Sequence, residues 1–164
     1  MARKTLDGFS TAAPDLNLND PSNLNDGLPI SVTINADGTL DVSGSITGDD
    51  GSSIAGITNI IGDPDATITL NGPALDADWH LITSNSGIVY IDGLAPITFS
   101  DIDIIVGGSA SDSFNLDPVY ALPLLINGGD GSDRVNAVAA GSITLNDFSI
   151  TYDSRTATIT TGTI

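Results

Sequence analysis

Two stretches of the chain set aspartate among glycines at a spacing that suits a hard cation. Gly128-Gly129-Asp130-Gly131-Ser132-Asp133-Arg134-Val135-Asn136 fits the pattern Gly-Gly-x-Gly-x-Asp-x-apolar-x at every specified position. Gly107-Gly108-Ser109-Ala110-Ser111-Asp112-Ser113-Phe114-Asn115 fits it too, except that Ala110 takes the place of the third glycine. Glycines let a turn curl until its backbone carbonyls face one centre, and the closing aspartate adds carboxylate oxygen. Calcium accepts about six to eight such oxygens in flexible geometry, so it is the expected ion. Stacked one above the other, the two turns would hold it between Asp112 and Asp133, with Asp130 as a further oxygen source. The plainer reading is a turn that keeps Gly and Asp for backbone reasons, since an aspartate can satisfy its own turn through an Asx hydrogen bond.

Other residues offer less. The single histidine, His80, stands beside the single tryptophan, Trp79, and there is no cysteine. A nucleophile–base triad therefore has almost no candidates. Asp76/Asp78 and Asp101/Asp103 are the paired carboxylates that cleavage of a glycosidic bond would need, and Trp79, Tyr90 and Tyr120 are aromatic faces on which a sugar could stack. Such cleavage also calls for aromatic platforms and basic residues, and the chain has one Trp, three Tyr and four Lys plus Arg. No enzyme is expected, with a β-helical polysaccharide-cleaving enzyme and a calcium-dependent glycan-binding module as the alternatives.

The elements that must position these turns follow from composition. All 21 acidic residues are aspartate, with no glutamate or glutamine, while Gly, Ser, Thr and Asn abound. Surface-helix formers are thus nearly absent, and β-branched residues supply strand content. Residues 1–29 read as an extended N-terminal arm or cap, in which only Leu16 and Leu18 alternate as an edge strand would. Residues 30–164 carry an apolar stretch before each turn: Val32–Asn35, Ile57–Ile61, His80–Thr83, Ile102–Val106, Leu124–Asn127 and Phe148–Tyr152. Their starts recur at near-even intervals, which predicts an all-β parallel β-solenoid, a β-helix or β-roll of about six coils of ~22 residues. The alternative is an antiparallel β-sandwich.

A net charge of −17 excludes nucleic acid, since there is no basic patch to meet phosphate. No apolar run approaches the length of a membrane span, so no membrane insertion is expected. The start, Met1-Ala2-Arg3-Lys4, is followed by Thr5-Leu6-Asp7-Gly8, which is not the apolar core of a secretory signal. Stacked strands leave unpaired edges at their ends, so the expected partners are copies of the same chain or other surface components, with glycans as a further possibility.

Residues 107–136 resemble the RTX-type, hemolysin-like calcium repeats of secreted bacterial proteins. More broadly, LAPITFSDIDIIVGGSASDSF and LLINGGDGSDRVN within residues 94–140 resemble repeats of very large bacterial surface exoproteins and adhesins. The resemblance implies an extracellular or cell-surface, non-enzymatic structural module whose folding calcium promotes. It implies Asp112 and Asp133 as ligands, with carbonyls near Gly107, Gly108, Gly128, Gly129 and Gly131. RTX rolls place such a turn every nine residues, on both sides of the coil. Here only one turn is complete, so an array of ions is not expected.

Overall fold

The computed structural model describes residues 14–19, 29–44, 52–83, 85–116 and 125–138, and the backbone of two strands near the C-terminus. The described chain is all β. Its strands are β1 (Asp15–Asn17), β2 (Ile30–Ile34), β3 (Leu40–Gly44), β4 (Asn59–Ile61), β5 (Ile68–Asn71), β6 (Ala77–Leu81), β7 (Gly87–Ile91), β8 (Ile97–Ser100), β9 (Ile104–Val106), β10 (Ser113–Leu116), β11 (Leu125–Gly129), β12 (Arg134–Val138), β13 (Ile150–Tyr152) and β14 (Thr158–Gly162). No helix among the described residues is long and apolar enough to cross a membrane.

Strict alternation makes these strands. In β2, Ile30, Val32 and Ile34 are buried while Ser31 and Thr33 are half-buried. In β6, Ala77, Trp79 and Leu81 face the core while Asp78 and His80 face out. Successive side chains of a strand point to opposite faces, so one such register assigns every residue its environment.

The strands form two mixed sheets. One has eight strands in the order β1-β4-β8-β7-β6-β10-β12-β14; the other has six, in the order β13-β11-β9-β5-β2-β3. Among the described strands, nine pairings are parallel. Three are antiparallel, namely β2 with β3 and β7 with both β6 and β8. The expected uniform parallel stack is therefore interrupted, and a purely antiparallel sandwich is not formed either.

The short, even interval expected from the sequence holds only towards the C-terminus. Ile105 lies beside Ile126, and Ile126 beside Ile150. Phe114 likewise lies beside Val135, and Val135 beside Ile159. From β10 to β12 the step is 21 residues. Earlier it lengthens to 35 residues from Leu70 to Ile105 and from Trp79 to Phe114, to 38 from Thr33 to Asn71 and to 39 from Asn59 to Thr98. In the step of 35 the added length is β7 and β8; between Thr33 and Asn71 it is β3 and β4. After β6 the chain turns back as β7 and forward again as β8, which joins β4 in parallel. Strand β7 is thus an antiparallel seam between two parallel blocks. The stretch Ile57–Ile61 stacks on β8 and not with Val32–Asn35, whose parallel neighbour is β5.

Residues 14–19, read as part of an arm, hold a firm place. β1 is the edge strand beside β4, and Leu16 and Leu18 are fully buried. The core runs between the two sheets and is aliphatic except at one cluster. There Trp79 stacks on Phe114 with ring centroids 6.0 Å apart and meets Phe99 edge-on at 6.1 Å. Parallel register puts Trp79 directly beside Phe114, and offset stacking is a favoured aromatic geometry.

Candidate functional site

Three connections between the sheets lie on top of one another, those from β5 to β6, β9 to β10 and β11 to β12. Hydrogen bonds along the stack fix them. Gly72 N–H donates to Val106 O at 2.7 Å, Gly107 N–H to Asn127 O at 2.8 Å, Asp130 N–H to Gly108 O at 2.9 Å, and Arg134 N–H to Asp112 O at 2.8 Å. Backbone polar groups in a buried corner need partners, and each turn finds them in the next.

The aspartates that close the two glycine turns are part of this stack. Asp133 Oδ1 accepts the backbone N–H of Asp112 at 3.0 Å, and Asp112 Oδ1 accepts the backbone N–H of Ala77 at 3.0 Å. Each carboxylate is a clip that reaches one layer back to an amide at its own structural position. Both side chains point inward, as the alternation with Phe114 and Val135 requires, and both are buried. The first glycine of each pair makes room. A Cβ on Gly107 would fall on the Asp112 carboxylate, and one on Gly128 on that of Asp133. Gly129 (φ 84°) and Gly131 (φ 114°) adopt left-handed backbone, and Cβ atoms there would collide with Gly108 O and Ala110 O of the layer below. Ala110 has no positive φ, so the two turns differ in shape at the one position where their sequences break the shared pattern.

The structure thus brings Asp112, Asp133, Gly107, Gly108, Gly128, Gly129 and Gly131 into one stack, with Asp130 in the turn above. It does not aim them all at one point. One oxygen of each closing aspartate holds an amide, and Gly108 O accepts from Asp130 N–H. Among the described residues no three acidic or histidine side chains gather closely enough to hold one metal ion. What remains is charge. Asp112 is 2% exposed, and its Oδ2 and the Nε1 of Trp79 are both buried without a hydrogen-bond partner. Burial pushes the Asp112 carboxyl up to about 7, assisted by the charges of Asp133 and Asp76; the Ala77 amide and the nearby indole N–H offset this only in part. Burial also raises Asp133, helped by Asp130 and opposed by the Asp112 amide.

Against this stack, and reaching onto strands β6 and β7 of the larger sheet, lies a groove of about 920 Å³ lined by Asp76, Asp78, Tyr90, Asp112, Asp133 and Arg134 among others. Its polar groups are largely engaged with one another. Asp76 Oδ1 accepts Ser111 N–H at 3.0 Å, Asp78 Oδ2 lies 3.1 Å from His80 Nε2, and Arg134 Nη2 donates to Ser113 Oγ at 2.7 Å. Asn136 donates to Asn115 at 2.8 Å, and Asn115 in turn donates to Asp78, giving a ladder across three strands. His80 meets Tyr90 edge-on at 5.2 Å.

Trp79, expected as a sugar platform, is fully buried in the core and cannot serve as one. Tyr90, 43% exposed, lies in the groove, and Tyr120 lies outside the described residues. Of the other paired carboxylates, Asp103 is a third clip, its Oδ2 accepting Ile68 N–H at 2.8 Å. Asp101 sits at φ 54° with its Oδ1 held by Asn85 Nδ2 at 3.1 Å. Sequence reasoning missed the Asp103 clip because it aligned all coils at one short interval. At the true step of 35, Asp103 falls beside Ile68 and Asp112 beside Ala77.

Compared with known proteins, the chain matches no family model, no curated protein and no solved structure.

Proposed function

We propose that the chain is a non-catalytic structural or adhesive module of an extracellular or cell-surface protein, in essence a β-solenoid with one antiparallel seam. The observation that carries this reading is the stack of clipped turns. Each arc finds its hydrogen-bond partners in the arc below, so the repeated unit has no stable form except in a stack. A stack of this kind is a stiff rod whose load is shared by parallel ladders. The extracellular setting rests on the resemblance to RTX-like repeats and surface adhesins. On this reading the rods join end to end through their edge strands, and filaments or layers follow from that. Sedimentation velocity across a concentration series, with and without calcium, tests it. Species that grow with concentration support self-association; a monomer throughout removes it.

Calcium enters the same reading through charge. A carboxylate as buried as Asp112 is compensated either by a proton or by a cation. Calcium bound at the oxygens the clips leave over, on Asp112 and Asp133, would stabilise the ionised form. A melting temperature at pH 8 that rises with calcium and falls with chelator supports the ion, since a ligand that binds only the folded state raises its stability. Unchanged melting removes calcium and leaves the rod.

A second reading, glycan binding, is favoured by one observation: Tyr90 stands half-exposed in an outward groove beside Asp78 and Asp92. Binding on a glycan array that Tyr90→Ala abolishes would support it; an array without signal would count against it. Cleavage of a polysaccharide would fall to Asp76 and Asp78 in the same groove, and turnover lost on Asp78→Asn would be its evidence.

A further inference from the structure

The chain contains two described Asn-Gly pairs at equivalent positions of the stack, Asn71-Gly72 and Asn127-Gly128. We propose that Asn127 is a self-modifying site, at which the side-chain amide is lost spontaneously to give aspartate and isoaspartate, while Asn71 is protected from the same reaction.

The reaction needs the backbone nitrogen of the following residue to reach the amide carbon Cγ, and glycine there offers no side chain to obstruct it. The Gly128 nitrogen gives up its proton and attacks Cγ of Asn127. The new C–N bond closes a succinimide, the Cγ–Nδ2 bond breaks, and Nδ2 leaves as ammonia. Water then opens the ring at either carbonyl, giving aspartate or isoaspartate at position 127. Nothing but water is consumed.

The two sites differ in how the amide is held. Asn71 Nδ2 donates to Ser31 Oγ at 2.7 Å, Val32 O at 3.1 Å and Thr33 Oγ1 at 3.4 Å, so its amide is pinned across the neighbouring strand β2. Asn127 Oδ1 accepts Gly129 N–H at 3.0 Å. This Asx turn folds the amide back over the Gly128 peptide and polarises the Cγ carbonyl towards attack. The ladder from β11 to β13 also slips here, passing from Asn127 directly to Gly129 and leaving Gly128 without a paired residue. The product matters to the stack because Asn127 O accepts Gly107 N–H at 2.8 Å. An isoaspartate inserts an extra carbon into β11 at the point where the two glycine turns are joined.

The test is peptide mapping by mass spectrometry of the folded chain held at pH 8, with isoaspartate detected separately and the same chain in strong urea alongside. Asn127 is expected to convert at least about tenfold faster than Asn71 in the folded chain, a barrier difference of about 1.4 kcal/mol, and the difference is expected to vanish in urea. Equal rates in the folded chain, a faster Asn71, or an Asn127 that keeps its amide while the unfolded chain loses it would overturn the proposal. Asn127→Gln, which closes the corresponding ring far more slowly, is expected to stop the loss of stability that accompanies ageing of the native chain. A native chain that converts at Asn127 and ages no faster than Asn127→Gln would overturn the claim that the product disturbs the stack.

Discussion

Asp133 Oδ1 accepts the backbone N–H of Asp112 at 3.0 Å, across 21 residues of chain, and Asp112 repeats the contact to Ala77 across 35. The closing aspartate of each glycine turn is therefore a tie between layers. Removing a buried acceptor leaves its donor amide unsatisfied, which costs about 1–3 kcal/mol. Asp133→Ala is expected to destabilise the chain by that amount in urea titration, and Asp133→Asn, which keeps an oxygen in place, by less. Equal stability of Asp133→Ala and wild type would rule out the tie.

The same burial sets a pH dependence. The Asp112 carboxyl is pushed up to about 7 in the folded chain against an ordinary 3.8, and Asp133 is raised in the same direction. The folded state thus holds protons that the unfolded chain releases. The stabilisation is complete below the unfolded value and is lost as pH rises through the folded one, a tenfold difference in proton affinity being worth about 1.4 kcal/mol. Thermal melting in chelator is expected to show a chain more stable at pH 5 than at pH 8.5, the reverse of an ordinary salt-bridged aspartate. Asp112→Asn should flatten most of that slope. A wild type that gains stability from pH 5 to 8.5 contradicts the burial argument.

Glycine at 128 has a steric cause that glycine at 93 lacks. A Cβ on Gly128 would strike the Asp133 carboxylate, whereas one on Gly93 (φ 79°) meets open space. Gly93→Ala should cost only the left-handed backbone penalty, about 1–2 kcal/mol. Gly128→Ala should cost about 1–3 kcal/mol from overpacking and also loosen the Asp133 tie. Paired unfolding curves and amide hydrogen exchange at Asp112 distinguish the two: exchange there should accelerate in Gly128→Ala and not in Gly93→Ala.

The aromatic cluster offers an optical check. Trp79 is the single tryptophan, fully buried and stacked on Phe114. Phe114→Ala is expected to cost about 3–5 kcal/mol. Tryptophan emission of the native chain should be that of a buried indole and insensitive to aqueous quenchers; strong quenching would place Trp79 at the surface and reopen its part in sugar binding.

Strand positions were legible in the chain because alternation is a local property: Ile30, Val32 and Ile34 declare their inward face without reference to any neighbour. The stacking of Gly107–Asp112 beneath Gly128–Asp133 was legible too, since the 21 residues that separate Asp112 from Asp133 lie close to the interval read along the whole chain. The interval failed between β2 and β5 and again between β5 and β9, because β3 and β7 alternate as any other strand does and nothing in Leu40–Gly44 or Gly87–Ile91 announces that it runs backwards. Strand direction is set by which edge a returning segment meets, and that is a long-range contact. The inward orientation of Asp112 shows the limit most plainly. By itself the chain determined an all-β, strand-and-turn composition and a glycine-aspartate corner with oxygen to offer. Only the tertiary structure decided where that oxygen goes. The same parity that buries Phe114 buries Asp112, and the amide of Ala77 lies within reach of the carboxylate only once the chain between them has folded.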